Sequence, residues 1–170
     1  SPGTSPENKF LTPDGYAGAT SYGCTSDLAM TRECLIDAAK AAEALGTDKD
    51  FRKQIEKTLP RLLPYQVGQK GNLQEWFHDW EDQEPQHRHQ SHLFGLYPGH
   101  HLSVKETPEL AKACARTLEI KGDNTTGWST GWRVNLYARL QDSKNAYHIY
   151  RRLLRYVSPD GYKGKDARRG

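Results

Sequence analysis

The chain has 170 residues, enough for one domain with a core of its own, and Lys+Arg 24 against Asp+Glu 21 leaves a formal net charge of +3. Two of those three units fall in residues 160–170, where Lys163, Lys165, Arg168 and Arg169 outnumber Asp160 and Asp166, so the remainder is nearly neutral and offers no basic face for a polyanion. Nucleic acid is excluded as a partner on that ground. No run of about 18 apolar residues exists to cross a membrane, and Cys24, Cys34 and Cys114 have no spacing that builds a disulfide framework or a thiolate metal site.

Residues 1–24 are rich in Gly, Pro, Ser and Thr, yet they carry Phe10, Leu11, Tyr16 and Tyr22, which linkers seldom do; they read as an ordered loop. A helix is expected over 26–45, with Leu28, Leu35, Ile36, Ala39 and Ala42 on one stripe, Thr25 or Ser26 as its cap and Gly46 at its end. Thr47-Asp48-Lys49-Asp50 reads as a capping box for a second helix, in which Phe51, Ile55 and Leu59 recur every four residues until Pro60 and Pro64 close it. So short a turn makes the pair antiparallel.

Residues 65–103 show no sustained period and concentrate aromatics, histidines and carboxylates. Helices resume with Pro108 at a first helical position and Leu110, Cys114 and Leu118 on one face, ending at Gly122. Another spans 126–140 with Trp128, Trp132, Leu136 and Leu140 in register. The last follows Asp142-Ser143 and presents Ala146, Ile149, Tyr150, Leu153, Leu154 and Val157. No strand is expected. The class is all-α, with antiparallel helix pairs forming either a small bundle or part of a toroid; the long irregular middle favours the toroid, where such loops gather to line a pocket. The whole reads as a single domain, 1–170, with 160–170 as a flexible tail. The opening Ser1-Pro2-Gly3-Thr4-Ser5-Pro6 lacks an initiating Met, and both ends read as cuts through a larger protein.

Four segments could carry chemistry. Glu7, beside Pro6 on a stiff loop among aromatics, is placed to be desolvated and so to act as a proton donor; the plain alternative is a solvated surface carboxylate. In 73–80, Glu75 and Asp79 would share one side of a helical turn and Trp76 and Trp80 another, an arrangement of carboxylates beside aromatic faces that suits a sugar, or else a core pair with acids facing water. In 86–101, His89 and His92 stand three apart, but without His-Glu-x-x-His the reading is hydrogen bonding with no metal. Arg88 beside His89 offers forked donors and an imidazole at one point, fit to grip sugar hydroxyls, or a structural ion pair with Glu81, Asp82 or Glu84. In 121–129 no phosphate loop is present; Thr125 or Thr126 caps a helix, and Trp128 is core or a stacking platform.

The order of these motifs is distinctive. Ser-Pro-Glu-Asn at 5–8, Leu-Gln-Glu-Trp at 73–76, Arg-His-x-Ser-His-Leu-x-Gly-Leu-Tyr-Pro-Gly at 88–99, Thr-Pro-Glu-Leu at 107–110 and Thr-Gly-Trp-Ser at 126–129 resemble the catalytic domain of glycoside hydrolase family 95, from Ser5 to Val157. The resemblance implies an (α/α)6 barrel and removal of terminal α-1,2-linked L-fucose, or in some members L-galactose, by inversion. It assigns Glu7 as general acid and Arg88 and His89 as groups holding the sugar, with Glu75, Trp76 and Trp128 in matching motifs. It implies an oligosaccharide or glycoconjugate as partner, no cofactor, and an extracellular or periplasmic setting.

The family's base, asparagines polarised by an aspartate, belongs to segments upstream and downstream of those matched here, and Asn8 adjoins the acid and cannot reach the opposite face. Negligible hydrolysis is therefore expected of this chain alone, together with self-association through exposed inner-helix faces. A non-catalytic glycan binder and a purely structural helical domain stand as alternatives.

Overall fold

The computed structural model describes residues 2–4 and 8–154. Glu7, Val157 and the tail from residue 160 lie outside the described residues. Five α-helices occupy the positions read from the sequence: α1 (Thr25–Leu45), α2 (Lys49–Thr58), α3 (Pro108–Lys121), α4 (Gly127–Arg139) and α5 (Ser143–Leu153). α1 packs on α2, and α4 on α5.

The expectation of no strands is corrected. Among the described residues, five short strands form two small sheets: β1 (Pro2–Thr4) pairs antiparallel with β4 (Thr20–Tyr22), while β2 (Phe10–Leu11) lies between β3 (Ala17–Gly18) and β5 (Glu81–Asp82), antiparallel to both. Strands of two or three residues are too short to print an alternating pattern, so their pairing is invisible to periodicity. The consequence for the site is large, because β2 joins the N-terminal loop to the irregular middle of the chain.

Several caps also differ from expectation. Cys24 is the N-cap of α1, and Thr25 instead donates its hydroxyl to the Gln74 carbonyl at 2.6 Å. The capping box at α2 does not form: Asp48 is left-handed, at φ 50°, and its side chain caps nothing. On α1 the expected apolar stripe is only half-buried apart from Ala42, and the inward face centres on Ala29 and Glu33. Glu33 explains the choice of face. Its carboxylate accepts from the His100 backbone N–H at 3.1 Å and contacts the imidazoles of His100 and His101, while the Tyr65 hydroxyl lies 2.6 Å from His101 Nε2. Burial works to raise the Glu33 carboxyl, but the hydrogen bonds from His101 and His100 overcome it and hold it below the ordinary glutamate range.

The main core gathers Leu73, Leu93, Leu96 and Leu102 of the middle segment against Cys114 and Leu118 of α3, Leu136 and Tyr137 of α4 and Ile149 of α5. A second, smaller cluster joins Phe10, Cys24 and Trp76, with Trp80 against it; the Phe10 and Trp80 rings stack at 4.2 Å.

Candidate functional site

One face of α4 fixes the histidine-rich segment. Ser129 donates to the Arg88 carbonyl at 2.7 Å, Trp132 Nε1 to the Tyr97 carbonyl at 2.9 Å, and Arg139 Nε to the Leu96 carbonyl at 3.2 Å. Positions 129, 132 and 139 share a helical side, so a single rigid element holds both ends of the 88–97 run. Within it, the buried His87 accepts at Nδ1 from the His89 backbone N–H at 3.1 Å. That acceptor role leaves the proton of a neutral His87 on Nε2.

His89 and Trp128 meet here. Their rings stand edge to face, centroids 5.1 Å apart at 87°, and Trp128 is 48% exposed. Trp128 is therefore not a core residue within the described structure. Burial is the main cause that lowers the pKa of His89, with His87 and Arg88 adding to it; Glu75 opposes and Lys121 assists. The imidazole is therefore neutral at pH 7, able to donate through one nitrogen and accept through the other.

Glu75 and Trp76 sit elsewhere in the same neighbourhood. The expected helical turn over 73–80 is corrected: the segment is extended and bent, because its backbone is claimed from both sides. The Leu73 N–H donates to Thr117 Oγ1 of α3 at 3.0 Å, and the Glu75 carbonyl accepts from the Thr25 N–H at 3.1 Å. Glu75 and Asp79 consequently part company. Asp79 is exposed and accepts from the Gln69 N–H at 2.7 Å, whereas Glu75 is buried. Trp76 is buried beside Phe10, and its Nε1 donates to Asp82 Oδ1 at 3.3 Å.

Around Glu75 lies a buried group of charges. Lys121 Nζ is 3.3 Å from Asp82 Oδ2 and 3.8 Å from Glu75 Oε2, and His92 Nδ1 is 3.3 Å from the same Glu75 oxygen, though not aligned for a hydrogen bond. Lys121 and His92 are each 2% exposed. Full burial, helped by the Lys121 charge, pulls the His92 pKa down to about 3, so His92 stays neutral. These residues and Trp76 line a cavity of about 340 Å³. Its rim carries Trp80, His78 and Asp79. On the other side of the 84–88 segment, Arg88 and His87 line a separate open hollow of about 260 Å³ with Asn124, Thr125 and Thr126.

The site residues read from the sequence thus divide. His89 meets Trp128 next to Arg88 in the chain, Glu75 and Trp76 are buried and line the 340 Å³ cavity, and Glu7 is outside the described residues. Of the three alternative partners offered for Arg88, Glu81 is engaged with Lys70 and Asp82 with Lys121 and Trp76, while Glu84 lines the same hollow as Arg88. Among the described residues, His89 and His92 share no group of His, Cys and carboxylates close enough to hold an ion; that spacing occurs at Glu33, Asp37 and His100, where Lys40 Nζ lies 3.1 Å from His100 Nε2. Lys121 and Asp82 carry charge here without standing out in the sequence. The available signal for Lys121 is register, since it continues the Cys114–Leu118 face of α3.

The chain matches the glycosyl hydrolase family 95 catalytic domain over residues 1–168. It is 41% identical over 159 residues to the alpha-L-fucosidase 2 of Arabidopsis thaliana, covering 93% of this chain and 19% of the relative. It is 32% identical over 163 residues to the probable alpha-fucosidase A of Aspergillus oryzae, covering 88% and 21%. The chain therefore spans about one fifth of the length of the curated relatives it matches.

Proposed function

Since the chain belongs to the glycosyl hydrolase family 95 catalytic domain, we propose that it is the acid-bearing section of an inverting α-L-fucosidase acting on terminal α-1,2-linked L-fucose, folded as part of an (α/α)6 barrel. The observation that carries this reading is the grouping of a neutral His89 and a half-exposed Trp128 at 5.1 Å beside Arg88. L-Fucose presents hydroxyls on one side and a C6 methyl on another. An imidazole and a guanidinium suit the hydroxyls, and an indole suits the apolar edge.

Glu7 is the general acid in this reading. Support comes from its neighbours in the chain: Asn8 is buried, and the Lys9 carbonyl accepts from the Gln83 N–H at 2.7 Å, next to the β2–β5 register of Phe10 with Asp82. Glu7 gives its proton to the glycosidic oxygen as the C1–O bond breaks, and the bond's electron pair leaves with the departing sugar. Water attacks C1 from the opposite face and yields its proton to a base carried by other segments of the family domain, so the anomeric configuration inverts. Arg88 and His89 hold the fucose through the change, while Glu75 and Trp76 act from behind as a positioning layer.

Proton donation contributes about 10²–10⁴-fold in rate, far less than a whole enzyme supplies. Release of fucose from a 2-linked fucoside by this chain alone is therefore negligible, and in a polypeptide that also supplies the base Glu7→Gln lowers it by about 10²–10⁴-fold with the circular dichroism unchanged. The reading fails if the 170-residue chain alone turns over such a fucoside, or if Glu7→Gln leaves the complete enzyme unaffected.

A further inference from the structure

A single peptide joins Arg88 to His89, and both of its polar groups are taken by buried side chains. The carbonyl, that of Arg88, accepts from Ser129 Oγ at 2.7 Å; the N–H, that of His89, donates to His87 Nδ1 at 3.1 Å. Ser129 is 0% exposed and His87 5%. Residues 87–90 belong to no helix or strand, so no backbone ladder holds this stretch. Buried peptide groups must find partners somewhere, and in folded proteins other backbone groups supply most of them. Here two side chains do so at the two ends of one peptide, His87 from the adjoining residue and Ser129 from the first turn of α4.

A bond at each end keeps the peptide plane from turning about its flanking Cα atoms, which restrains ψ of Arg88 and φ of His89. Those angles set the directions in which the two side chains leave the backbone. Ser129 also adjoins Trp128, whose ring meets His89 edge to face at 5.1 Å. One helical turn therefore carries both the indole and the hydroxyl that pins the peptide before it.

We infer that Ser129 and His87 are positioning residues: together they lock the 88–89 peptide and so preset Arg88 and His89 against Trp128 before the sugar arrives. This role rests on the reading of Arg88, His89 and Trp128 as the fucose site and adds what keeps that site in register. A preset group binds without first being ordered, and the backbone freedom of one residue is worth about tenfold in affinity. Both bonds hold the same peptide, so losing the second after the first costs less than losing it alone.

The test uses the full chain, ¹⁵N-labelled, with L-fucose affinity from calorimetry and hydrogen exchange of the His89 amide from NMR, both well below the onset of unfolding. Ser129→Ala removes the donor, His87→Leu removes the acceptor, and His87→Asn keeps an acceptor at similar reach. Ser129→Ala and His87→Leu are each expected to weaken fucose about tenfold, with the His89 amide exchanging faster in His87→Leu. His87→Asn recovers most of the affinity and the protection, and the Ser129→Ala, His87→Leu double variant loses less than the product of the single losses. The two single variants act on opposite ends of the peptide, so either carries the test if the other fails to fold. If Ser129→Ala and His87→Leu bind fucose as wild type does while the amide exchanges faster, the bonds support only the fold; positioning is wrong and the fucose site stands. If affinity stays low in His87→Asn although the amide is protected again, His87 acts by touching the sugar and its positioning role is overturned. If the wild-type chain binds no fucose, the fucose site falls and the positioning role with it.

Discussion

Replacing Lys121 by Met isolates what the buried charges contribute. Lys121 is 2% exposed, between Asp82 Oδ2 at 3.3 Å and Glu75 Oε2 at 3.8 Å. Met keeps the stem's volume and removes the ammonium, which leaves the buried Glu75 and the partly buried Asp82 carboxylates without their shared cation. Breaking a buried pair by deleting one partner costs about 3–5 kcal/mol, mostly through the charge left behind. Here both contacts exceed the length of a tight charge-assisted bond and Asp82 keeps some solvent, so the lower end applies, about 3 kcal/mol. With a urea dependence of about 2 kcal/mol/M, the midpoint of urea unfolding followed by circular dichroism falls by about 1.5 M. Adding Asp82→Asn to Lys121→Met removes one of the stranded charges and recovers part of the loss. A Lys121→Met protein as stable as wild type, or a double variant less stable than the single, would refute the assignment of Lys121 as the cation that pairs these acids.

Two further perturbations follow from the same packing. His92 has a folded pKa of about 3 against about 6.5 in the unfolded chain, so the unfolded state binds the extra proton; stability is complete above about pH 6.5 and declines as pH falls toward 3. His92→Gln lacks that proton, and the slope of stability against pH between those limits, read from urea midpoints, decreases by up to about 1.4 kcal/mol per pH unit. His89 and His101, lowered by burial likewise, keep the remaining slope from vanishing. An unchanged slope means His92 is not held neutral by burial. Leu136→Ala, at a fully buried position where α4 meets α3 and α5, lowers stability by about 2–5 kcal/mol in the same assay; a loss under 1 kcal/mol would mean the site collapses or was never packed.

α3 and α5 were legible because they carry their own punctuation: Pro108 opens α3, Gly122 at φ 63° closes it, and Asp142 caps α5 by accepting from the Asn145 N–H at 3.0 Å. The strands were not, since β2 is two residues long and one of its two partners lies far along the chain, 72 residues away for Phe10 with Asp82. The turn proposed for 73–80 failed for a similar reason. Spacing places Glu75 and Asp79 on one side of a helix, but Thr25 and Thr117 draw the backbone straight and turn Glu75 inward. Register also misled on α1, where a carboxylate, Glu33, takes the inner face because two histidines and a backbone N–H await it. In the site, Arg88, His89 and Trp128 could be named from motif order, whereas Lys121 emerges only from its burial beside Asp82 and Glu75.

The most direct trial of the account is a calorimetric titration of L-fucose into the wild-type chain and into Arg88→Ala, with Trp128→Ala alongside. Arg88→Ala keeps the backbone carbonyl that accepts from Ser129, and Trp128 is too exposed to matter to the core. Wild type is expected to bind fucose, with each variant at least tenfold weaker and unchanged in urea midpoint. Equal binding by all three proteins, or variants that unfold instead of losing the sugar, would contradict the assignment of this corner as a fucose site.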